Sequence, residues 1–385
     1  MRAKLRRPLE RRLREGHPWV YREALEPFSA SPGDAVRVLD RREKLVGVGL
    51  AEAGPIAVRM FSLRDEEIGP RLFESRLYRA LELRERIAPP ETDALRLVHG
   101  EGDRLPGFVV DRYGEYAVLK PDGAAALARA ESFAGALFPL LRDRGVRHLL
   151  LRTGRGATLE VRPVEGSLPP GPLEVRERGM KLVADLRHGQ KTGLFLDHRE
   201  SRARVRALAK DLRVLNLYAY NGGFSVSAGL GGALRVTSVD VAEGAIRDAE
   251  ENFSRNGLDP AKHRAVVADV PRFLAEDGEG PYDLVVADPP SFAPSERALE
   301  RAIQSYEALH EACLKKLLPG GLYLAASCSS HVGQAQFEAT LLAGASRAGA
   351  VLQVIDRWGA PPDHPRLLAF PEGDYLSCVL ARRLA

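Results

Sequence analysis

The 385-residue sequence predicts an α/β protein whose carboxyl-terminal half is an open parallel sheet, preceded by two smaller units. Three observations carry that expectation. From about residue 180, apolar β-type runs alternate with helix-length amphipathic segments, the grammar of consecutive βαβ units. Before that point the runs are short and separated by turn signals, which suits a small β-barrel and a small α+β unit. Near the end, "VLQVIDRW" (351–358) and "YLSCVLARR" (375–383) flank a Pro-rich loop and fit an antiparallel hairpin.

At the amino terminus, residues 1–22 hold eight Arg or Lys against two Glu, +6 locally where the whole chain carries +4. Arginine's planar fork pairs with oxyanions, so this stretch is either a phosphate-facing surface or a solvated basic helix face. "GDAVRVLD", "KLVGVGLAE" and "IAVRMFS" (within 32–62) read as barrel strands. Residues 70–86 have helical periodicity. The pieces "LRLVHG", "GFVVDRYG" and "YAVLK", a helix at 122–143 and strands near 148–152 and 158–162 make a β-β-α-β-β unit. "EGSLPPGPLEV" (165–175) is a linker. The expected domains are therefore 1–67, 68–172 and 173–385. In the third, "RVLNLYA" (213–219), "RVTSVDV" (235–241), "HRAVVAD" (263–269), "YDLVVAD" (282–288) and "GLYLAAS" (321–327) are the parallel strands. With the terminal hairpin they give the seven-stranded, Rossmann-like outline of a class I methyltransferase domain.

Composition narrows the class. An apolar share of 45% is enough for packed cores, and no run reaches the roughly 18 apolar residues of a membrane span. No apolar h-region follows the basic start, so no secretory signal is expected. Cys313, Cys328 and Cys378 form no CxxC spacing, which argues against a disulfide framework or zinc knuckle and fits a reducing cytoplasm. Only nine of the 56 basic residues are lysine, and Asn, Gln and Met number four, five and three. That bias suits a thermophile or a GC-rich genome. It also makes Asn216 and Asn221, two of the four asparagines, informative.

In open α/β sheets, ligands bind beyond the carboxyl ends of the strands. After the first strand come Asn216, Tyr218, Asn221, Gly222, Phe224 and Ser225, the last two opening a helix whose N–H groups suit a carboxylate or phosphate. The second strand ends in Asp240, placed for ribose hydroxyls, and the third in Asp269, a ligand group or a helix N-cap. The 24-residue spacing from Asn216 to Asp240 is nucleotide-like, but the glycines depart from GxGxxG, which favours a smaller adenosyl ligand over a dinucleotide. The fourth strand continues into Asp288-Pro289-Pro290-Ser291-Phe292: a stiff loop with a carboxylate and a flat ring, suited to a planar base. Upstream, "LRHGQKTGLFLDHRESR" (186–202) concentrates Gln190, Thr192, Phe195 and Arg199 in a loop suited to folding over a ligand; Asp197 can cap the helix that comes next. His188 and His198 have no third partner at metal-ligand spacing, so no metal is expected. After the fifth strand stands Cys328, in "SCSSH".

Together "VLNLYAYNGGFSVSA", "ADPPSF", "SCSSH" and "GQKTGLFLDHR" resemble the RlmI/RlmO-like family of ribosomal RNA large-subunit cytosine-5 methyltransferases; "GHPWVYREALE" and "LVHGEGDRLPGFVVDRYG" extend the likeness over nearly the whole chain. The resemblance implies a PUA domain at 1–67, a central α+β domain, and a domain binding S-adenosylmethionine. It places the methionine part of the cofactor on Asn216–Ser225, the ribose on Asp240 and the adenine near Asp269, with 190–199 closing over it. Asp288, Pro289, Pro290, Phe292 and Arg199 would line the base pocket, Asp288 touching the cofactor as well, and Cys328 would be the nucleophile.

A thiol is wanted because carbon 5 of cytosine is too electron-poor to attack a methyl group until a thiolate adds at carbon 6. A helix N-terminus expected just after Ser330 would favour that thiolate. His331 is a candidate for removing the carbon-5 proton, or a capping or RNA-contacting residue. The partner implied is ribosomal RNA, with no membrane; a homodimer is compatible but nothing demands it. Two other readings remain: a guanine-N methyltransferase of ribosomal RNA, which explains everything except Cys328, and an inactive RNA-binding assembly factor.

Overall fold

The computed structural model describes all residues except 155, 277, 294, 295, 330 and 385. The chain forms two compact units: Met1–Gly179 with Ala184–Leu196 and Pro362–Gly373, and Met180–Val183 with Asp197–Pro361 and Asp374–Ala385. Leu173–Glu177 and Met180–Ala184 form a two-stranded ribbon.

The first unit holds two five-stranded sheets. One comprises Arg2–Lys4, Trp19–Tyr21, Ala35–Leu39, Leu45–Ala51 and Ile56–Ser62. Strict alternation in Ala35–Leu39 buries Val36 and Val38 and turns Ala35 and Arg37 outward. The other comprises Ala94–His99, Phe108–Tyr113, Tyr116–Pro121, His148–Thr153 and Glu160–Glu165, laid side by side in chain order. Its one parallel pair, Tyr116–Pro121 with His148–Thr153, needs a crossover, which Ala130–Arg142 supplies. Val48, Leu50 and Phe61 of the first sheet share one apolar core with Phe108 of the second and with Phe73 and Phe133 on the helices Pro70–Ile87 and Ala130–Arg142. Buried Arg59 ties the same parts together, donating to Glu52 (3.1 Å) and Glu101 (2.5 Å).

Residues 362–373 return to this unit from far along the chain. Asp363 accepts from the Arg96 amide on its carboxylate (3.0 Å) and from Arg84 on its carbonyl (2.8 Å), while Phe370 packs edge-on to Trp19 at 4.6 Å. Arg84, itself 2% exposed, forks onto Asp103 at 2.6 and 2.7 Å.

The second unit is a seven-stranded sheet. Its strands are β1 (Arg213–Leu217), β2 (Arg235–Asp240), β3 (His263–Val267), β4 (Tyr282–Ala287), β5 (Leu317–Ser327), β6 (Leu352–Trp358) and β7 (Ser377–Arg383), in the order β3-β2-β1-β4-β5-β7-β6. The first five are parallel, and β7 pairs antiparallel with both β5 and β6. This is the expected sheet with its terminal hairpin. Its helices are α1 (Arg199–Leu208), α2 (Gly223–Leu230), α3 (Glu243–Arg255), α4 (Val270–Glu276), α5 (Leu299–Lys315) and α6 (Gln334–Arg347). α1 packs on α2 and α2 on α3; α4 packs on α5 and α5 on α6.

Register decides which residues meet at the carboxyl edge. Leu217 lies beside Val239 and Ala287, and Ala287 beside Ala325. The loops leaving these positions are thereby brought to one rim, around the β1/β4 step where strand order reverses.

Candidate active site

The loop after β1 is held in an unusual backbone. Tyr218, Tyr220 and Gly222 all have positive φ (57°, 48° and 75°), and for tyrosine that conformation costs about 1–3 kcal/mol. The surroundings over-determine it. The Tyr220 amide donates to Asp240 Oδ2 at 2.9 Å, and the other carboxylate oxygen accepts from the Ala242 amide at 2.9 Å. Gly222 forms the N-cap of α2 without a side-chain cap, and a Cβ there would stand 2.7 Å from the Ala249 Cβ.

All four asparagines brace this region. Buried Asn252 donates to the Asn221 carbonyl and accepts from the Val183 amide, both at 2.8 Å; Asn256 grips Lys181 through its amide (2.9 Å) and its carbonyl (2.8 Å). Asn221 itself donates to the Val183 carbonyl at 3.4 Å. Asn216 donates to Ser225 (2.8 Å), which continues to Ser238 (2.6 Å) and then to His263 Nε2 (2.7 Å). Burial pushes His263 down to about 4, so a neutral imidazole ends this chain. Asn216 and Ser225 thus support the loop from within, and Phe224 is buried beside them. The roles of Asn252 and Asn256 were not legible in the sequence; their scarcity was the one available signal.

The loop fits an adenosyl cofactor. The first turn of α2 opens with no side-chain cap, so its N–H groups suit a carboxylate, and each Asp240 oxygen keeps a lone pair for a hydroxyl. Val241 and Val267, at the ends of paired strands, are 71% and 51% exposed, an apolar surface suited to a flat ring. Asp269 is exposed and accepts from the Arg272 amide at 3.2 Å, capping α4 as one of its two expected uses.

At β4 and β5 two loops are laced together. Ser291 shares a hydrogen bond with Ser329 (2.9 Å), and the buried Tyr306 hydroxyl of α5 meets both Ser327 (2.8 Å) and Ser329 (3.2 Å). The stretch Asp288–Phe292 is thereby fixed to the segment that carries Cys328. Cys328 is half-buried against Ala326, Leu376 and Cys378, whereas Cys313 and Cys378 are wholly buried, burial pushing the Cys313 thiol up to about 12. Of the expected base-pocket residues, Pro289 is buried, Pro290 is exposed and Phe292 is tilted against the Tyr306 ring at 4.9 Å. Arg199 opens α1 and is 1% exposed, its Nε 3.7 Å from Glu200. The helix expected after Ser330 begins only at Gln334, because a turn closed by the Val332 amide on the Ser329 carbonyl (3.0 Å) intervenes. Ser330 itself lies outside the described residues, and His331 is exposed.

His198 is the residue the sequence left unassigned. It is 3% exposed, and its Nε2 lies 3.2 Å from Asp288 Oδ2. Burial alone would lower its pKa, but the Asp288 carboxylate outweighs this and holds it at about 10. Its other nitrogen faces Ser201 Oγ at 3.2 Å. Gln190, Thr192 and Phe195 belong to the first unit. There Thr192 donates to Asp111 (2.6 Å) and accepts from Tyr113 (2.8 Å), Lys191 lies over the Phe195 ring at 4.5 Å, and Gln190 is exposed. Among the described residues, no group of three or more potential ligands could hold a metal.

The strained loop, the rim aspartate on β2 and the laced loops at β4 and β5 all fall at one edge of the sheet, and residues 139–373 match the S-adenosylmethionine-dependent methyltransferase family. The chain belongs to this family. Residues 3–63 match the PUA-like domain. Among this methyltransferase's relatives, a ribosomal RNA large subunit methyltransferase of Deinococcus radiodurans is 36% identical, covering 98% of this chain and 96% of its own. Ribosomal RNA large subunit methyltransferase I of Cronobacter sakazakii is 35% identical over 95% of both chains. A Streptococcus mutans chain described as a SAM-dependent methyltransferase superposes with a TM-score of 0.88 over 99% of this chain and 100% of its own, at 22% identity. A further methyltransferase, solved in complex with SAH, has the same TM-score and identity over 99% of both chains. S-adenosylmethionine is the methyl donor of the family. No described helix is long and apolar enough to cross a membrane.

Proposed function

We propose that this methyltransferase acts on large-subunit ribosomal RNA and forms 5-methylcytidine through a covalent adduct of Cys328. The observation that carries the reading is the clamp at β4 and β5. It fixes a half-buried thiol on one loop to a carboxylate-bearing loop on the neighbouring strand. A guanine-N enzyme has no use for that thiol.

When bound, S-adenosylmethionine supplies the electrophilic methyl group that carbon 5 takes up. Asp240 would hold the ribose, and Asn221 to Phe224, opening α2, the methionine carboxylate. Val241, Val267 and Asp269 would flank the adenine. Cys328, as thiolate, adds to carbon 6 and turns the ring into an enamine whose carbon 5 is nucleophilic; loss of the carbon-5 proton later expels the thiolate. Asp288 accepts from the exocyclic amine of cytosine and orients the ring, with Phe292 and Pro290 beside it. The basic surface of residues 1–22 and the PUA-like domain would grip the RNA backbone, giving a salt-dependent affinity.

The test is incubation with methyl-labelled S-adenosylmethionine and unmodified large-subunit RNA, followed by identification of the labelled nucleoside. Label in 5-methylcytidine supports the reading; label in a methylguanosine overturns it and leaves Cys328 a packing residue.

A further inference from the structure

His198 sits between the Asp288 carboxylate and a small buried network on Ser201. The Trp358 indole is only a donor and occupies one lone pair of Ser201 Oγ at 2.8 Å. The same Oγ lies 3.6 Å from Cys378 Sγ and 3.2 Å from His198 Nδ1, and its single proton can serve either neighbour. Nε2, 3.2 Å from Asp288 Oδ2, offers its N–H to the carboxylate, and that negative charge favours the doubly protonated ring. Phe224 meets this imidazole edge-on at 5.5 Å, and His198 is only 3% exposed. The result is a buried cation bonded to one oxygen of a carboxylate whose side chain is still 21% exposed.

We propose that His198 is a positioning residue that holds Asp288 as an obligate hydrogen-bond acceptor, so that the site selects a base bearing an exocyclic amine at carbon 4. This rests on the reading of Asp288 as the group that meets the target base. An ionised carboxylate accepts only, whereas a protonated one also donates. Cytosine presents an amine where uracil presents a carbonyl, so an acceptor-only Asp288 pairs with the first and repels the second. Without the cation, Oδ2 loses the positive partner that favours the acceptor-only form of the carboxylate. The other titratable or charged groups around the pair are the Cys378 thiol on β7, the Tyr306 hydroxyl on α5, Cys328 after β5, and the chain neighbours Asp197 and Arg199.

The experiment is His198→Gln, which keeps an N–H donor and removes the charge. kcat/KM for labelling of large-subunit RNA is measured from pH 6 to pH 9, and iodoacetamide alkylation of Cys328 is followed over the same range by mass spectrometry. The wild-type to variant ratio of kcat/KM is expected to be at least tenfold larger at pH 6 than at pH 9, with the Cys328 alkylation profile unchanged. A ratio constant across pH shows a structural role and overturns the proposal, as does a shift in the alkylation profile that accounts for the whole effect. Should His198→Gln not fold, Ser201→Ala removes the hydroxyl that faces Nδ1 and is judged by the same two outcomes. If the wild type labels a nucleoside other than 5-methylcytidine, the functional reading fails first, and that result is read from the wild type alone.

Discussion

Replacing Gly222 with alanine tests whether the loop after β1 is as tightly specified as its geometry implies. Two costs add. The backbone there has φ +75°, and a side chain in that left-handed region costs about 1–2 kcal/mol. The new Cβ would also lie 2.7 Å from the Ala249 Cβ and 2.9 Å from its Cα, on helix α3, and overpacking of that kind costs about 1–3 kcal/mol. The sum is about 2–5 kcal/mol. Gly232 supplies the control, with φ +87° but nothing nearer than Lys210 Cγ at 3.7 Å, so Gly232→Ala carries the backbone cost alone. Urea unfolding of both variants, with SAH titration calorimetry alongside, separates the terms. Gly222→Ala should lose roughly twice the stability of Gly232→Ala and should alone weaken SAH binding. Equal losses with SAH affinity intact would refute the argument that α3 and the loop are in closest approach at Gly222.

Cys328→Ala should abolish turnover while leaving SAH affinity within about twofold, since only the nucleophile is lost; full residual methylation would sink the covalent mechanism. Asp240→Ala removes a carboxylate that also organises the Tyr220 and Ala242 amides, and SAH affinity should fall about ten- to a hundredfold by calorimetry. Tyr306→Phe deletes the hydroxyl shared by Ser327 and Ser329; stability should drop by about 1–2 kcal/mol, and kcat/KM by more than SAH affinity. Burial holds His310 down at about 3, so below pH 6.5 the unfolded chain binds the proton that the folded one refuses. Stability should therefore fall as pH drops from 6.5, by about 2 kcal/mol at pH 5 from this residue. His310→Gln should flatten the pH dependence of the urea midpoint, and a parallel shift at every pH would contradict the assignment.

The parallel strands were legible because buried apolar runs such as "VLNL" and "LVVA" are separated by helix-length amphipathic segments, and that pattern admits few topologies. The rim aspartates were legible for the same reason: once the strand ends are located, the residues just beyond them have only one edge of the sheet to occupy. The His198–Asp288 pair was not. The two residues are 90 positions apart, and nothing in "LDHRE" says which way an imidazole turns once α1 packs. The Ser291–Ser329–Tyr306 lacing was equally hidden, since serines in loops and a tyrosine at helical spacing are each unremarked alone. The start of α6 was misplaced because "SSHVGQ" offers serine as a plausible cap, whereas the turn at Ser329–Val332 leaves the N-cap to Gly333.

The return of residues 362–373 to the first unit bears on how the chain is made. Strand Ala94–His99 and helix Pro70–Ile87 leave the ribosome early, yet the partner that accepts from the Arg96 amide and from Arg84 is Asp363, 267 residues after Arg96. During synthesis the amino-terminal body must wait, with Arg84 short of one acceptor, until the parallel sheet has been translated almost to its last strand. Contacts of such long sequence separation slow folding. They also make completion of one body a check on the other: a chain cut short before Asp363 lacks β7 and leaves Arg84 and Trp19 without their late partners, and is marked as unfinished in both halves at once.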